Sequence, residues 1–118
     1  MKWTLTLGVV PGYENTKTEI NLDDVGAIYQ TIALRVYEKI NVYVSATLAE
    51  SRTLYATNWG CPLGGESTVT FSGAHNPAFA TPEAYRNALD EIVRELKEYF
   101  KQTTALLEIT PCEIVYYK

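Results

Sequence analysis

The stretch TPEAYRNALDEIVRELKEYF, residues 81–100, carries the strongest structural signal in the chain. Thr81 is a residue type favoured at a helix N-cap, and Pro82 suits the first helical position. Glu83 falls in the first turn, where the helix dipole favours negative charge. The apolar residues recur at helical spacing on one face: Tyr85, Leu89, Ile92, Val93, Leu96 and Phe100. The stretch predicts an amphipathic helix that packs against a core.

A second helix is predicted upstream, over residues 22–39. Asn21 is a suitable N-cap, and Asp23 and Asp24 fall in the first turn. The apolar residues again recur at helical spacing: Val25, Ile28, Tyr29, Ile32 and Val36. The chain therefore contains two helices that each need a partner for one apolar face.

The remaining segments alternate between apolar and polar residues, as half-buried strands do. Residues 2–10 predict one strand, which Pro11 and Gly12 end. Residues 42–48 and 53–57 predict two strands joined in a hairpin near Glu50 and Ser51. The segment STVTF, residues 67–71, predicts a further short strand, and residues 105–118 are strand-like on both sides of Pro111. Because proline lacks an N–H, that position predicts an edge, a bulge or a strand break.

This order of elements resembles that of small ferredoxin-like domains. It predicts an α+β fold with a split βαβ arrangement: an antiparallel sheet, two helices on one face, and an extra strand or loop insertion before the second helix. The 118 residues fit one domain spanning residues 1–118, with enough chain for a core of its own.

Composition narrows the classes of function. The formal charge of -4 and the scattered basic residues argue against a nucleic-acid-binding protein. No apolar run is long enough to cross a membrane, and the first residues do not form a secretory signal, so we expect a cytoplasmic protein. The two cysteines are expected to be reduced thiols. We expect no cofactor, because no motif for one is present.

The sheet face opposite the helices is predicted to be rich in hydroxyl groups and aromatic rings. The alternation places these residues there: Thr4, Thr6, Tyr43, Ser45, Thr47, Thr53, Tyr55, Thr57 and Trp59. Such a face can be solvated, can pair with a second copy of the chain, or can line a cleft for a small molecule. Tyr43, Tyr55 and Trp59 are the predicted contact residues, because aromatic side chains combine a large apolar surface with a polar group.

The stretch NWGCPLGGE, residues 58–66, raises a question of chemistry. Cys61 lies in a turn-rich segment, and His75 follows further along the chain. Together with Glu66, which is able to orient the His75 imidazole, they make a catalytic cysteine, histidine and carboxylate set conceivable. The alternative is that Trp59 and Cys61 cover the end of the core while the prolines and glycines form turns. No metal site is predicted, since CxxC and HxxxH spacings are missing.

Two functional hypotheses follow, and a third class, a regulatory subunit of a larger assembly, is also compatible with the sequence. The first is a non-enzymatic domain that forms a homodimer or larger oligomer and binds a small molecule or partner near the open sheet face and the loop of residues 58–79. The second is a small cofactor-free enzyme that uses Cys61 and His75. Fold class alone does not select between them.

Overall fold

A computed structural model of the protein describes residues 1–9 and 20–118. Within these ranges the chain forms β1 (Lys2–Gly8), α1 (Leu22–Ile40), β2 (Thr47–Thr53), β3 (Glu66–Ala74), α2 (Pro82–Tyr99) and β4 (Leu106–Thr110), with a short 3₁₀ turn at Thr57–Trp59. The four strands form one antiparallel sheet in the order β2-β3-β1-β4. This is the ferredoxin-like split βαβ arrangement that the sequence predicts. Pro11 and Gly12, the predicted end of the first strand, lie outside the described residues.

Both helices begin at the predicted caps. The Asn21 side chain accepts a hydrogen bond from the backbone N–H of Asp24 at 3.2 Å, and Thr81 accepts one from Ala84 at 3.2 Å. Each bond satisfies a backbone donor that the first turn leaves unpaired. The helices also contact each other through ion pairs of Arg35 with Glu95 and of Lys39 with Glu91. The basic side chains are exposed and the acidic ones half-buried, so the pairs contribute little to stability.

The predicted hairpin turn near Glu50 and Ser51 is wrong. β2 runs straight through both residues and pairs with β3 from Thr47 opposite Ser72 to Thr53 opposite Glu66. β2 lies at the edge of the sheet, where polar side chains are tolerated and imitate a turn signal. The two strands predicted over residues 42–48 and 53–57 are therefore one strand, Thr47–Thr53. The connection to β3 is residues 54–65, and the segment STVTF is part of β3 itself.

The break predicted at Pro111 is present, but the strand predicted after the proline does not form. β4 stops at Thr110, directly before the proline, and residues 111–118 belong to no strand. The missing N–H of Pro111 explains why the hydrogen-bond ladder of the sheet does not continue.

Among the described segments, neither helix has the length and apolar character needed to cross a membrane.

The core lies between the sheet and the two helices. The central strands contribute fully buried side chains, which are Trp3, Leu5, Leu7, Val69 and Phe71. One buried hydrogen bond joins the sheet to α2, in which the indole N–H of Trp3 donates to the Tyr85 hydroxyl at 2.7 Å. A second joins α1 to the segment that leads into β2, in which the Tyr29 hydroxyl donates to the Val44 carbonyl at 2.7 Å. Burial raises the pKa of Tyr29, so this hydroxyl stays protonated and keeps donating.

The face of the sheet turned away from the helices is rich in hydroxyl groups. The strand register places these residues on it: Thr4, Thr6, Thr47, Ser51, Thr53, Thr68, Thr70 and Ser72. Four of them form a hydrogen-bonded chain, in which Thr70 donates to Ser51 at 3.0 Å and Thr68 lies 2.8 Å from Ser51 and 3.1 Å from Thr53. Thr4, Thr6, Thr47 and Thr53 therefore lie on the face where the alternation predicts them. Five other predicted members of that face belong to no strand: Tyr43, Ser45, Tyr55, Thr57 and Trp59. β2 and β3 are linked by side chains as well as backbone.

We predict that Gly73→Ala destabilises the protein by about 1–3 kcal/mol. A Cβ at this position would lie 2.6 Å from Cζ2 of the buried Trp3 and 2.7 Å from the Ser45 carbonyl oxygen, so the added methyl group forces the packed indole or the Ser45 backbone to shift. Urea unfolding followed by circular dichroism measures the change.

Gly26→Ala is the matched control. Its added Cβ meets only Leu48, at an ordinary contact distance of 3.8 Å. Because alanine is a better helix former than glycine, this variant should gain about 0.5–1 kcal/mol. Equal stability of the two variants would contradict the packing described for Trp3.

Candidate functional site

Three strands and one connection meet at one end of the sheet. The register brings Gly8 opposite Thr68 and Thr53 opposite Glu66, so the end of β1, the end of β2 and the start of β3 are neighbours. The connection from α2 to β4 reaches the same end. Together they form a cavity of about 380 Å³, called here the strand-end pocket, lined by Thr53, Tyr55, Glu66, Lys101, Gln102, Thr103 and Thr104.

Gly8 makes room for the polar groups of this pocket. A Cβ on Gly8 would collide with the carboxamide of Gln102 and would lie 3.3 Å from Oε1 of Glu66. The two side chains therefore approach the backbone at the end of β1, where a larger residue would displace them. The Gln102 carboxamide also donates to the Phe100 carbonyl at 3.0 Å, which fixes its position.

The backbone turn after α2 sets the position of Lys101. Its φ of 53° is left-handed, its N–H donates to the Glu98 carbonyl at 3.1 Å, and the next N–H, of Gln102, donates to Lys97 at 3.0 Å. These two bonds close the last turn of the helix. The connection is consequently anchored to α2 at the point where it borders the pocket.

The strand-end pocket carries both signs of charge. Within the part of the chain that the structure describes, neither the Glu66 carboxylate nor the Lys101 ammonium forms an ion pair. A ligand that carries both a cationic and an anionic group would find a counter-charge for each. The hydroxyl groups of Thr103 and Thr104, on the connection, add hydrogen-bonding capacity.

The structure does not bring Cys61, His75 and Glu66 together. Glu66 begins β3 and His75 follows its last residue, so the nine-residue strand separates them by roughly 25–30 Å. Cys61 lies at the Glu66 end, because its thiol is 3.9 Å from the Thr53 carbonyl oxygen and 3.4 Å from that of Pro62. Of the thirteen residues between Cys61 and His75, nine form the extended strand β3, so much of the predicted loop of residues 58–79 is strand, and not only the short segment STVTF.

His75 has a structural environment. It is buried, its Nε2 donates to the Ala80 carbonyl at 2.6 Å, and its ring centroid lies 4.8 Å from that of Tyr85. Both features hold the 75–80 turn against the core. Elsewhere among the described residues, no three His, Cys, Asp or Glu side chains gather as metal ligands would.

The three predicted contact residues lie in different places. Tyr55 lines the strand-end pocket. Trp59 is 76% exposed in the loop that leads from Tyr55 to Glu66. Tyr43 lies beyond the opposite end of the sheet, with its ring 6.4 Å from that of Tyr37. Of the site residues predicted from the sequence, only Tyr55 and Glu66 line the same cavity.

Sequence reasoning did not identify Gly8, Lys101 and Gln102 as site residues. The polar run KQTT, residues 101–104, has no motif of its own. Its place follows only from the topology, because the segment after α2 must return to the end of β1 to start β4.

Comparison with known proteins identifies the family. A family model described as SAM lyase matches residues 1–118, so the chain belongs to the SAM lyase family. A search of the curated proteins found no match. Membership in a family of enzymes favours the enzyme hypothesis over a non-enzymatic binding domain.

Two solved structures are similar in fold. One is a phage SAM lyase in complex with S-methyl-5'-thioadenosine, 16% identical, with 90% of this chain and 76% of that chain covered and a TM-score of 0.61. The other is a phage SAM lyase in its apo state, 14% identical, with 90% and 75% covered and a TM-score of 0.60. At these identities the likeness establishes a shared fold.

We predict that iodoacetamide labels Cys112 about tenfold or more faster than Cys61 at neutral pH. Cys112 is exposed, whereas Cys61 is 6% exposed, and a buried thiol reacts only when its surroundings open. Mass spectrometry of the two cysteine-containing peptides over time gives both rates. Labelling in urea is the control and should make the two labelling rates equal. Faster labelling of Cys61 than of Cys112 in the folded protein would instead support Cys61 as a nucleophile.

Proposed function

We propose that the protein cleaves S-adenosylmethionine in the strand-end pocket and releases S-methyl-5'-thioadenosine. Membership in the SAM lyase family supports the reaction, and the fold shared with a phage SAM lyase solved with S-methyl-5'-thioadenosine supports the product. The observation that carries the choice of pocket is the pair of charges, Glu66 and Lys101, bordering one cavity without pairing within the described chain.

The charges of the substrate match those of the pocket. At neutral pH S-adenosylmethionine carries a positive sulfonium, a positive ammonium and a negative carboxylate. Glu66 is the group that attracts the positive charges, and Lys101 is the group that attracts the carboxylate. The hydroxyl groups of Thr103 and Thr104, on the connection that borders the pocket, are positioned to contact the polar groups of the sugar.

A balanced cleavage needs neither water nor an oxidant. The bond between the sulfonium sulfur and the aminobutyrate chain breaks, and its electron pair stays on sulfur as a neutral thioether. The carbon that loses sulfur gains a bond to an oxygen of the substrate's own carboxylate, which closes a five-membered lactone. No proton has to move, so the contribution of the pocket is to hold the chain bent with the reacting atoms in line.

We also propose that the protein self-associates through the loop of residues 54–65. The loop of residues 54–65 exposes Leu54, Trp59 and Leu63 beside the strand-end pocket. A second copy of the chain packed on these side chains would cover both the apolar surface and the open side of the pocket.

We expect Trp59→Ala with Leu63→Ala to lower the oligomer mass in native mass spectrometry, and an unchanged oligomer would exclude this loop as the contact.

The test of the reaction is incubation of the purified protein with S-adenosylmethionine and detection of products by mass spectrometry. We expect S-methyl-5'-thioadenosine together with homoserine lactone. Glu66→Gln should lower kcat/KM by about 10–100-fold, the usual effect of losing one contact to a charged group. A wild-type protein that forms no S-methyl-5'-thioadenosine would contradict the function itself.

Glu108→Gln is the matched control for the site. Glu108 lies on the same face of the sheet, on β4, and is exposed outside the pocket. The Glu108→Gln substitution removes the same charge as Glu66→Gln and should leave kcat/KM within about twofold of the wild-type value. If Glu66→Gln is as active as Glu108→Gln, the reaction takes place elsewhere on the protein.

A further inference from the structure

A second cavity lies at the opposite end of the sheet from Glu66. Its volume is about 480 Å³, which is within the range of small-molecule sites. We call it the aromatic pocket, after the residues that shape it: Tyr37, Asn41, Tyr43, Asn76, Phe79 and Tyr85. The proposed cleavage of S-adenosylmethionine uses none of them.

The floor of the aromatic pocket is rigid. Tyr85 is 5% exposed, and its hydroxyl accepts the indole N–H of Trp3 at 2.7 Å. Burial raises the pKa of Tyr85, so the hydroxyl remains neutral at physiological pH. The His75 ring supports Tyr85 from the side, at a centroid distance of 4.8 Å.

One wall is the turn of residues 75–80, which hydrogen bonds hold in place. The His75 N–H donates to the Met1 carbonyl at 2.8 Å, and its ring donates to Ala80. The Asn76 side chain accepts from the Ala78 N–H at 3.0 Å, and the Asn76 carbonyl accepts from the Phe79 N–H at 3.1 Å. These bonds fix the backbone that presents Phe79, although the ring itself is 70% exposed.

The facing wall comes from the end of α1 and the residues after it. Tyr37 and Tyr43 meet edge to face, with ring centroids 6.4 Å apart, and each is partly exposed. Asn41 caps the helix in a left-handed conformation and donates its backbone N–H to the Tyr37 carbonyl at 2.7 Å. Within the described residues its carboxamide forms no hydrogen bond, and it lines the cavity.

The lining selects an uncharged, planar ligand. None of the residues that line the cavity is charged, so an ionic ligand would lose hydration without gaining a counter-charge. The aromatic side chains on its walls offer surfaces to a flat ring system. A carboxamide such as that of Asn41 presents a donor and an acceptor in one plane, which is the pattern that pairs with N7 and the amino group of adenine.

We propose that the aromatic pocket binds an uncharged adenine nucleoside, at a site separate from the strand-end pocket. The base lies against the rings of Tyr43 and Phe79, and the Asn41 carboxamide contacts its edge. This inference does not depend on the lyase reaction, since it stands on residues at the other end of the sheet.

The two tryptophans of the chain report on the two ends separately. The indole N–H of Trp3 bonds to the floor of the aromatic pocket, and Trp59 lies in the loop beside the strand-end pocket. In a titration of ¹⁵N-labelled protein with adenosine, we expect the Trp3 indole resonance to shift and saturate while that of Trp59 changes little. Absence of a saturable Trp3 shift at millimolar adenosine would overturn the proposal.

Variants assign the site and its chemistry. Tyr43→Ala and Phe79→Ala should each weaken adenosine binding by about tenfold, whereas Tyr99→Ala, which removes a comparably exposed ring outside the pocket, should not.

Adenosine 5'-monophosphate should bind at least about tenfold more weakly than adenosine; equal affinity would overturn the preference for an uncharged ligand.

The Glu66→Gln variant separates this proposal from the proposed function. Adenosine should shift the Trp3 resonance of that variant with unchanged affinity, whatever happens to its cleavage of S-adenosylmethionine. If Glu66→Gln abolishes adenosine binding, the nucleoside occupies the strand-end pocket and the aromatic pocket is not a separate site.

Discussion

The antiparallel pairing of β1 with β3 is the constraint on which the other features depend. It runs from Lys2 opposite Ala74 to Gly8 opposite Thr68. A slip of one residue would turn Glu66 towards the helices and Val69 and Phe71 towards the open face, because side chains alternate along a strand. The same register places Gly8 beside Glu66 at one end and sets His75 against Met1 at the other. The two cavities are thus fixed at opposite ends of one sheet.

Two buried tyrosine hydroxyls fix the helices, one to the sheet and one to the segment that leads into β2. Tyr29 of α1 donates to the Val44 carbonyl, and Tyr85 of α2 accepts from Trp3 of β1. Each bond satisfies a polar group that burial would otherwise leave without a partner, and each has its direction fixed by chemistry. Apolar packing alone would allow the helices to slide, whereas these bonds define one position. The packing around Trp3 is so close that only glycine fits at position 73.

Local signals in the sequence predicted most of the fold. The caps at Asn21 and Thr81, the break at Pro111 and the order of elements follow from neighbouring residues and are present in the structure. The turn near Glu50 was misplaced because a polar edge strand and a turn have similar compositions. The site was harder to predict, since Cys61 and His75 are close in the chain but lie towards opposite ends of an extended strand. Lys101 and Glu66 are far apart in the chain and border one cavity, which no local pattern records.

The separation of Glu66 from Lys101 has a consequence for turnover. Two charges that neutralised each other would have to part before a ligand entered, whereas charges held apart are ready to receive one. In the proposed reaction the sulfonium becomes a neutral thioether, and the nucleoside that remains carries no ionic group. The electrostatic attraction that retains the substrate therefore disappears from this fragment in the bond-breaking step. A pocket built on fixed charges of both signs would in this way release its own nucleoside product as a result of the chemical step.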